Sequence, residues 1–342
     1  MIKTVGIVSL SRGLLGESFV KHEADLGVCR LQEMGLKVKF LPHSLMGIDY
    51  LNDHPEKRAE DLLEAFRDPE IDLILCAIGG DDTYRLAPYL FEHGELAAAL
   101  RRKPFLGFSD TTVNHLMLHK LGLPTFYGQS FLPDLCELDR DMLPYTRKHF
   151  EELISTGTIR AVTPSPLWYE ERTEWGPDQI GIPRVSHSNP GFELLQGPSV
   201  FEGKILGGCI ESLYDLLTGS RYGDEAEICA RYGLFPEANA WKGLILLLES
   251  SQEKPSPELY EKMLKLLKEH GVLSVVSGIL LGKPMDGSFD AEYREAVLRT
   301  VDNRAIPIVA NLSVGHATPR CILPFGVHAR VDAGRQIITF YP

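Results

Sequence analysis

Ile71-Asp72-Leu73-Ile74-Leu75-Cys76-Ala77-Ile78, running directly into Gly79-Gly80-Asp81-Asp82-Thr83, reads as a buried strand and the loop at its carboxyl end. A near-continuous aliphatic run marks a strand covered on both faces, as in a parallel sheet. Around it strand and helix patterns alternate: Val5 to Leu10, a helix around His22 to Met34, Leu36 to Leu41, and a helix around Pro55 to Arg67. This rhythm predicts an α/β fold with an open parallel sheet of Rossmann or flavodoxin type, which places ligands beyond the carboxyl ends of its strands.

A second turn of the same kind follows the apolar run Pro104-Phe105-Leu106-Gly107-Phe108, where Ser109 stands directly before Asp110-Thr111-Thr112 and a helical pattern. A strand-to-helix turn lifts a serine Oγ clear of the sheet, and the next N–H, that of Asp110, lies at a helix N-terminus suited to stabilising an oxyanion. The segment lacks the second glycine of a G-x-S-x-G elbow, and Ser-Asp-Thr is equally ordinary N-cap chemistry. A nucleophile at Ser109 therefore needs a base and an orienting acid from elsewhere in the chain.

With 342 residues, 44% of them hydrophobic, the chain is long enough for two cores. The expected division is an N-terminal α/β domain over 1–165, a connecting substrate loop over 166–197 rich in Gly, Pro, Asn and charge, and a second, smaller α/β domain over 198–342. The second domain is read from the strands Gly203 to Gly208, Gly243 to Glu249, Val275 to Leu281 and Pro307 to Leu312, with a helix over Pro257 to His270. Formal charge is −12, from 35 basic and 47 acidic residues, with no basic cluster, which argues against nucleic acid as the main partner. The six cysteines are scattered without a C-x-x-C pair, as expected of reduced thiols, and no stretch reaches membrane-spanning length. A cytoplasmic protein with no membrane partner is expected.

Glu249 ends the aliphatic run Leu244 to Leu248, so its carboxylate emerges from a buried strand, or else lies exposed in the Ser250-Ser251-Gln252 turn. His316 lies in the loop Ser313-Val314-Gly315-His316-Ala317-Thr318-Pro319 after the strand Ile308 to Leu312. An imidazole with a pKa of about 6.5 takes a serine proton at neutral pH, and an acid behind it sets the tautomer and stabilises the imidazolium. Ser109, Glu249 and His316 supply that combination, in an order free to vary. Gly79-Gly80-Asp81-Asp82 lacks the Lys-Ser/Thr of a phosphate loop; an amide near Gly80 or Asp81 is instead a candidate second oxyanion donor. Asp81 and Asp82 are candidates for gripping a substrate ammonium, or for capping the next helix. His115 and His119 have a zinc-like spacing but lack the glutamate of H-E-x-x-H, so no metal is expected.

These residues resemble the LD-carboxypeptidase family of serine peptidases: Gly79 to Leu86, Gly107-Phe108-Ser109-Asp110-Thr111-Thr112, the strand ending in Glu249, and Gly315-His316, in the family's order over nearly the whole chain. The resemblance implies a triad of Ser109, Glu249 and His316, an active site between two domains, a homodimer and no cofactor. Trp175 and the segment ending Asn189-Pro190-Gly191-Phe192 look like the longer loop of the branch similar to the microcin C immunity protein, whose aromatic residue stacks on a nucleobase. That branch implies release of an acidic aminoacyl group from a nucleotide-like moiety; murein tetrapeptide LD-carboxypeptidase activity is the alternative, and a non-catalytic small-ligand binding protein the rival from another class. Two departures from the family pattern are Leu10, within Ser9-Leu10-Ser11-Arg12 in place of Pro-Ser-Ser, and Cys209, where asparagine is frequent. Both Asp82 and Cys209 are counted with Trp175 as expected substrate contacts.

Overall fold

The computed structural model describes residues 1–341. The first five strands, β1 (Thr4–Val8), β2 (Lys37–Phe40), β3 (Leu73–Cys76), β4 (Phe105–Gly107) and β5 (Thr125–Tyr127), pair in parallel in the order β5-β4-β3-β1-β2. This is the flavodoxin-like order, whose topological switch lies between β1 and β3. The loops leaving those two strands meet there: the Arg12 N–H donates to the Gly79 carbonyl at 3.3 Å, and the Asp81 N–H donates to Ser11 Oγ at 3.0 Å.

The chain then forms β6 (Ala161–Val162), a small antiparallel hairpin of β7 (Leu167–Tyr169) and β8 (Ser186–Ser188), and β9 (Glu193–Gln196). It continues through β10 (Val200–Cys209), β11 (Ile245–Glu249), β12 (Gly278–Gly282), β13 (Ile308–Leu312), β14 (Leu323–Phe325), β15 (His328–Asp332) and β16 (Ile337–Tyr341). The second sheet has the order β6-β16-β15-β10-β11-β12-β13-β9, with β10 to β13 parallel at its centre. Leu246, Leu247 and Leu248 on β11 are fully buried. Each contributes about 1.5–3 kcal/mol by leaving water, and together they anchor the strand that delivers Glu249.

Three segments depart from the expected division at 165 and 197. β6 lies before residue 165 yet closes one edge of the second sheet, β9 forms its other edge from within the connecting segment, and β14 returns to pair antiparallel with β5 in the first sheet. Edge strands present unpaired N–H and C=O rows, and these short pieces cover them. The connecting segment is also pinned rather than free. Buried Glu137 receives the guanidinium groups of Arg172 and Arg184, at 2.9 and 2.7 Å.

Candidate active site

Ser109 follows β4 with φ +67°. A non-glycine residue held in the left-handed region costs on the order of 1–3 kcal/mol, and it turns the chain sharply into the helix Thr112–Lys120 with the side chain outward. Gly79 makes room for it: a Cβ there would lie 2.7 Å from Ser109 Cβ, 2.8 Å from its Oγ and 3.2 Å from the Asp110 nitrogen. The loop after β3 and the turn after β4 thus touch through a missing side chain.

Glu249 ends β11 in register with Cys209 on β10 and is 1% exposed. Its Oε2 accepts from His316 Nδ1 at 2.7 Å and from the His316 backbone N–H at 3.2 Å, while Oε1 accepts from the Tyr127 hydroxyl at 2.6 Å. A carboxylate only accepts, so Nδ1 carries the proton and Nε2, 3.0 Å from Ser109 Oγ, is left as the acceptor facing the hydroxyl. Gly315, with φ +80°, permits this approach, since a Cβ there would collide with the Glu249 carboxylate. Arg320 braces the loop: it donates to the carbonyls of Gly315 and His316 and to Asp134 Oδ1, and its guanidinium covers the Phe108 ring that meets the His316 ring edge-on. The three side chains nominated from strand-end positions therefore form one hydrogen-bonded line.

Tyr127 and Arg320 were not foreseen. Tyr127 ends β5 inside the core, where a tyrosine reads as packing, yet its oxygen also accepts the Ser109 N–H at 3.2 Å. Burial, followed by the neighbouring Glu249 charge, pushes its phenol well above the usual range and keeps the hydroxyl proton available to Glu249.

The oxyanion candidates separate. The Asp110 nitrogen stands beside Ser109 and faces Gly79, and Gly80 lines the crevice in front of it. The Asp81 N–H is already donated to Ser11 Oγ, which removes Asp81 as a donor to substrate. Asp82 also departs from expectation: it is 5% exposed and locked by Arg58 at 2.6 and 3.0 Å and by Arg85 at 3.1 Å, so its charge is spent inside the protein and does not grip substrate. Cys209 lines the crevice, with its thiol donating to Glu211 at 3.3 Å. Leu10 is wholly in the core. Trp175 is not among the residues lining the crevice: its carbonyl meets His22 Nε2 at 2.9 Å, and Arg184 lies over its ring. His115 is buried between Thr125 Oγ1 and the Gly107 carbonyl, its imidazole pushed down to about 4 by desolvation. Among the described residues no group of three or more His, Cys, Asp or Glu could hold a metal ion.

The crevice beside Ser109 runs between the domains, from Gly80 to the turn Ser251-Gln252-Glu253, and carries far more acid than base. Its single guanidinium, Arg221, is bound by Asp215 at 3.3 Å, by both oxygens of Glu253 at 2.8 and 2.7 Å, and faces Asp81 at 3.5 Å.

Models of the LD-carboxypeptidase N-terminal and C-terminal domains match residues 5–128 and 202–331. A putative carboxypeptidase of Treponema pallidum is 31% identical over 317 residues, covering 91% of this chain and 84% of that protein. The microcin C7 self-immunity protein MccF of Escherichia coli is 28% identical over 328 residues, covering 93% and 88%. The crystal structure of a MccF-like protein from Streptococcus pneumoniae in complex with AMP superposes with a TM-score of 0.99 at 61% identity, over 100% of this chain and 99% of that one. With both family domains matched around a two-domain α/β architecture, the chain belongs to the LD-carboxypeptidase family of serine peptidases.

Proposed function

We propose that this protein cleaves an amide by an acyl-enzyme route and that its substrate is an aminoacyl group joined to a nucleotide-like moiety. The observation that carries the reading is the line Glu249 Oε2, His316 Nδ1, His316 Nε2, Ser109 Oγ, with spacings of 2.7 and 3.0 Å across the domain boundary. Ser109 Oγ bonds to the acyl carbon as its proton passes to His316 Nε2; the N–H groups of Asp110 and Gly80 receive the oxyanion. His316 then returns the proton to the leaving nitrogen, and a water activated by the same imidazole hydrolyses the ester. Glu249 holds the tautomer and balances the imidazolium.

The nucleotide half is supported by the MccF-like relative crystallised with AMP. The acidic acyl group expected from the resemblance meets like charge in this crevice, and the reading keeps the substrate class without it. Murein tetrapeptide carboxypeptidase activity is the alternative within the family, and ligand binding without chemistry is the other class. A second copy of the chain is proposed as partner, on the support of Ile180, Ile182 and Val185, which are 47%, 47% and 58% exposed on the connecting segment.

Purified protein is assayed on alanyl sulfamoyl adenosine and on a murein tetrapeptide. Preferential hydrolysis of the former is expected, with Ser109→Ala lowering turnover by about six orders of magnitude while binding survives. Cleavage of the tetrapeptide alone reverses the substrate assignment, and undiminished hydrolysis by the variant removes Ser109 as nucleophile.

A further inference from the structure

The crevice wall opposite Ser109 is built from the helix Ile210–Thr218, the start of the helix Glu225–Tyr232, and the turn after β11. Its charges are unbalanced. Arg221 answers three carboxylates at once, donating to Asp215 and Glu253 and facing Asp81, so its charge is already outweighed before a ligand enters. Glu211, nearly buried, accepts the Ser251 N–H at 2.8 Å and the Cys209 thiol, both neutral donors. Asp110 accepts the neutral Thr83 N–H at 2.9 Å. No basic side chain other than Arg221 lines this space.

Glu225 is the singular member. It is 2% exposed, it lines the crevice together with Ser109 and Asp110, and its Oε2 has no hydrogen-bond partner. A buried carboxyl oxygen without a hydrogen-bond partner costs about 1–3 kcal/mol, and among the residues lining this crevice Glu225 alone carries such an atom, a cost that a donor on a bound ligand would relieve. Burial, reinforced by Asp110 and Asp215, pushes this carboxyl up to about 9, so it is neutral in the free protein at pH 7.

We infer that the acyl group transferred to Ser109 carries a cationic side chain, an ammonium or guanidinium, which is seated against Glu225 within the acidic wall of the crevice. The inference rests on the hydrolase reading for the word acyl, but its charge preference is a property of the crevice. A cation placed there gives Oε2 its missing donor and meets a net negative surround. An aspartyl or glutamyl group placed there loses its own hydration and faces Glu211, Asp215 and Glu253 with no free cation in return, and like charges brought together in a partly desolvated site cost several kcal/mol. Glu225 is thus a specificity residue rather than part of the proton relay.

The inference predicts a proton count. Because the Glu225 carboxyl is protonated in the free protein, a cation bound against it favours the carboxylate and expels a proton. An alanyl group, which carries only the α-ammonium common to all three compounds and no side-chain cation, is the reference against which that additional release is read.

The test compares lysyl, alanyl and aspartyl sulfamoyl adenosine on the whole protein at pH 7. The expected order of kcat/KM is lysyl, alanyl, aspartyl, with lysyl ahead of aspartyl by about 100-fold or more. Glu225→Gln, close in shape and neutral as the native carboxyl is, should narrow the lysyl-to-alanyl ratio by about 10-fold. In parallel, Ser109→Ala protein is titrated calorimetrically with the lysyl and aspartyl compounds in two buffers of different ionisation enthalpy. Tighter lysyl binding with proton release, lost in the Ser109→Ala/Glu225→Gln double variant, supports the inference even if no compound is cleaved, an outcome that sinks only the catalytic reading. Aspartyl binding as tight as lysyl, or lysyl binding without proton release, overturns it.

Discussion

Replacing Tyr127 by phenylalanine removes one oxygen that serves two strands and both halves of the site. In the native protein that oxygen donates to Glu249 Oε1 at 2.6 Å and accepts the Ser109 N–H at 3.2 Å and the Thr112 hydroxyl at 3.4 Å. A hydrogen bond to a charged group is worth about 1.5–3 kcal/mol, and a buried amide left without an acceptor costs about 1–3 kcal/mol. Relaxation recovers part of both, so a loss of about 3–5 kcal/mol of stability is expected. At roughly 2.1 cal/mol/K of unfolding entropy per residue this corresponds to a melting temperature lower by about 4–7 °C. Turnover should fall by about 10–100-fold, because the carboxylate behind His316 and the left-handed turn at Ser109 lose a shared latch, while KM changes by less than about 3-fold. Thermal unfolding followed by circular dichroism and steady-state hydrolysis of an aminoacyl sulfamoyl adenosine read the two effects separately. A variant melting within about 1 °C of the native protein and turning over at its rate would refute the assignment of Tyr127 as a positioning residue.

Gly315→Ala should fold and yet lose about 100-fold or more in turnover, since the new methyl group collides with the Glu249 carboxylate and drives the His316 loop away from Ser109; native-like circular dichroism with native turnover counts against it. Asp82→Asn strips the fully buried Arg58 of its counter-charge and should cost about 3–5 kcal/mol in urea unfolding, with KM unchanged; a large rise in KM would restore Asp82 as a substrate contact. The Glu225 carboxyl, raised from 4.5 to about 9, holds a proton in the folded chain that the unfolded chain has released across that range. Its stabilising contribution is therefore complete below about pH 4.5 and declines as pH rises towards about 9, by at most about 1.4 kcal/mol per pH unit. Glu225→Gln carries no such proton, so urea melts from pH 5 to 9 should show the variant gaining on the native protein with rising pH; parallel curves contradict the raised carboxyl.

What could be read along the chain was whatever a local pattern encodes. The aliphatic runs before Gly79, Ser109 and Glu249 announce buried strands, and a polar residue directly after such a run stands at a strand's carboxyl edge, where open sheets gather function. Asp82 illustrates the limit: its position after β3 is legible, but Arg58, which occupies it, comes from a helix 24 residues earlier and nothing local joins the two. Trp175 is similar, an aromatic residue in a long loop whose carbonyl is held by His22, 153 residues away.

By itself the order of residues determined the α/β rhythm and the strand-end places of Ser109, Glu249 and His316, because hydrophobic periodicity and turn chemistry act over a few neighbours. Only the tertiary structure decided that Tyr127 latches Glu249 to the Ser109 turn, that β6, β9 and β14 cross the expected boundaries, that Ser11 consumes the Asp81 amide, and that Glu225 enters the crevice with an unpartnered Oε2. Those facts depend on which distant groups share a buried space, where each polar atom must find a partner or go without one, and no short stretch of sequence records that pairing.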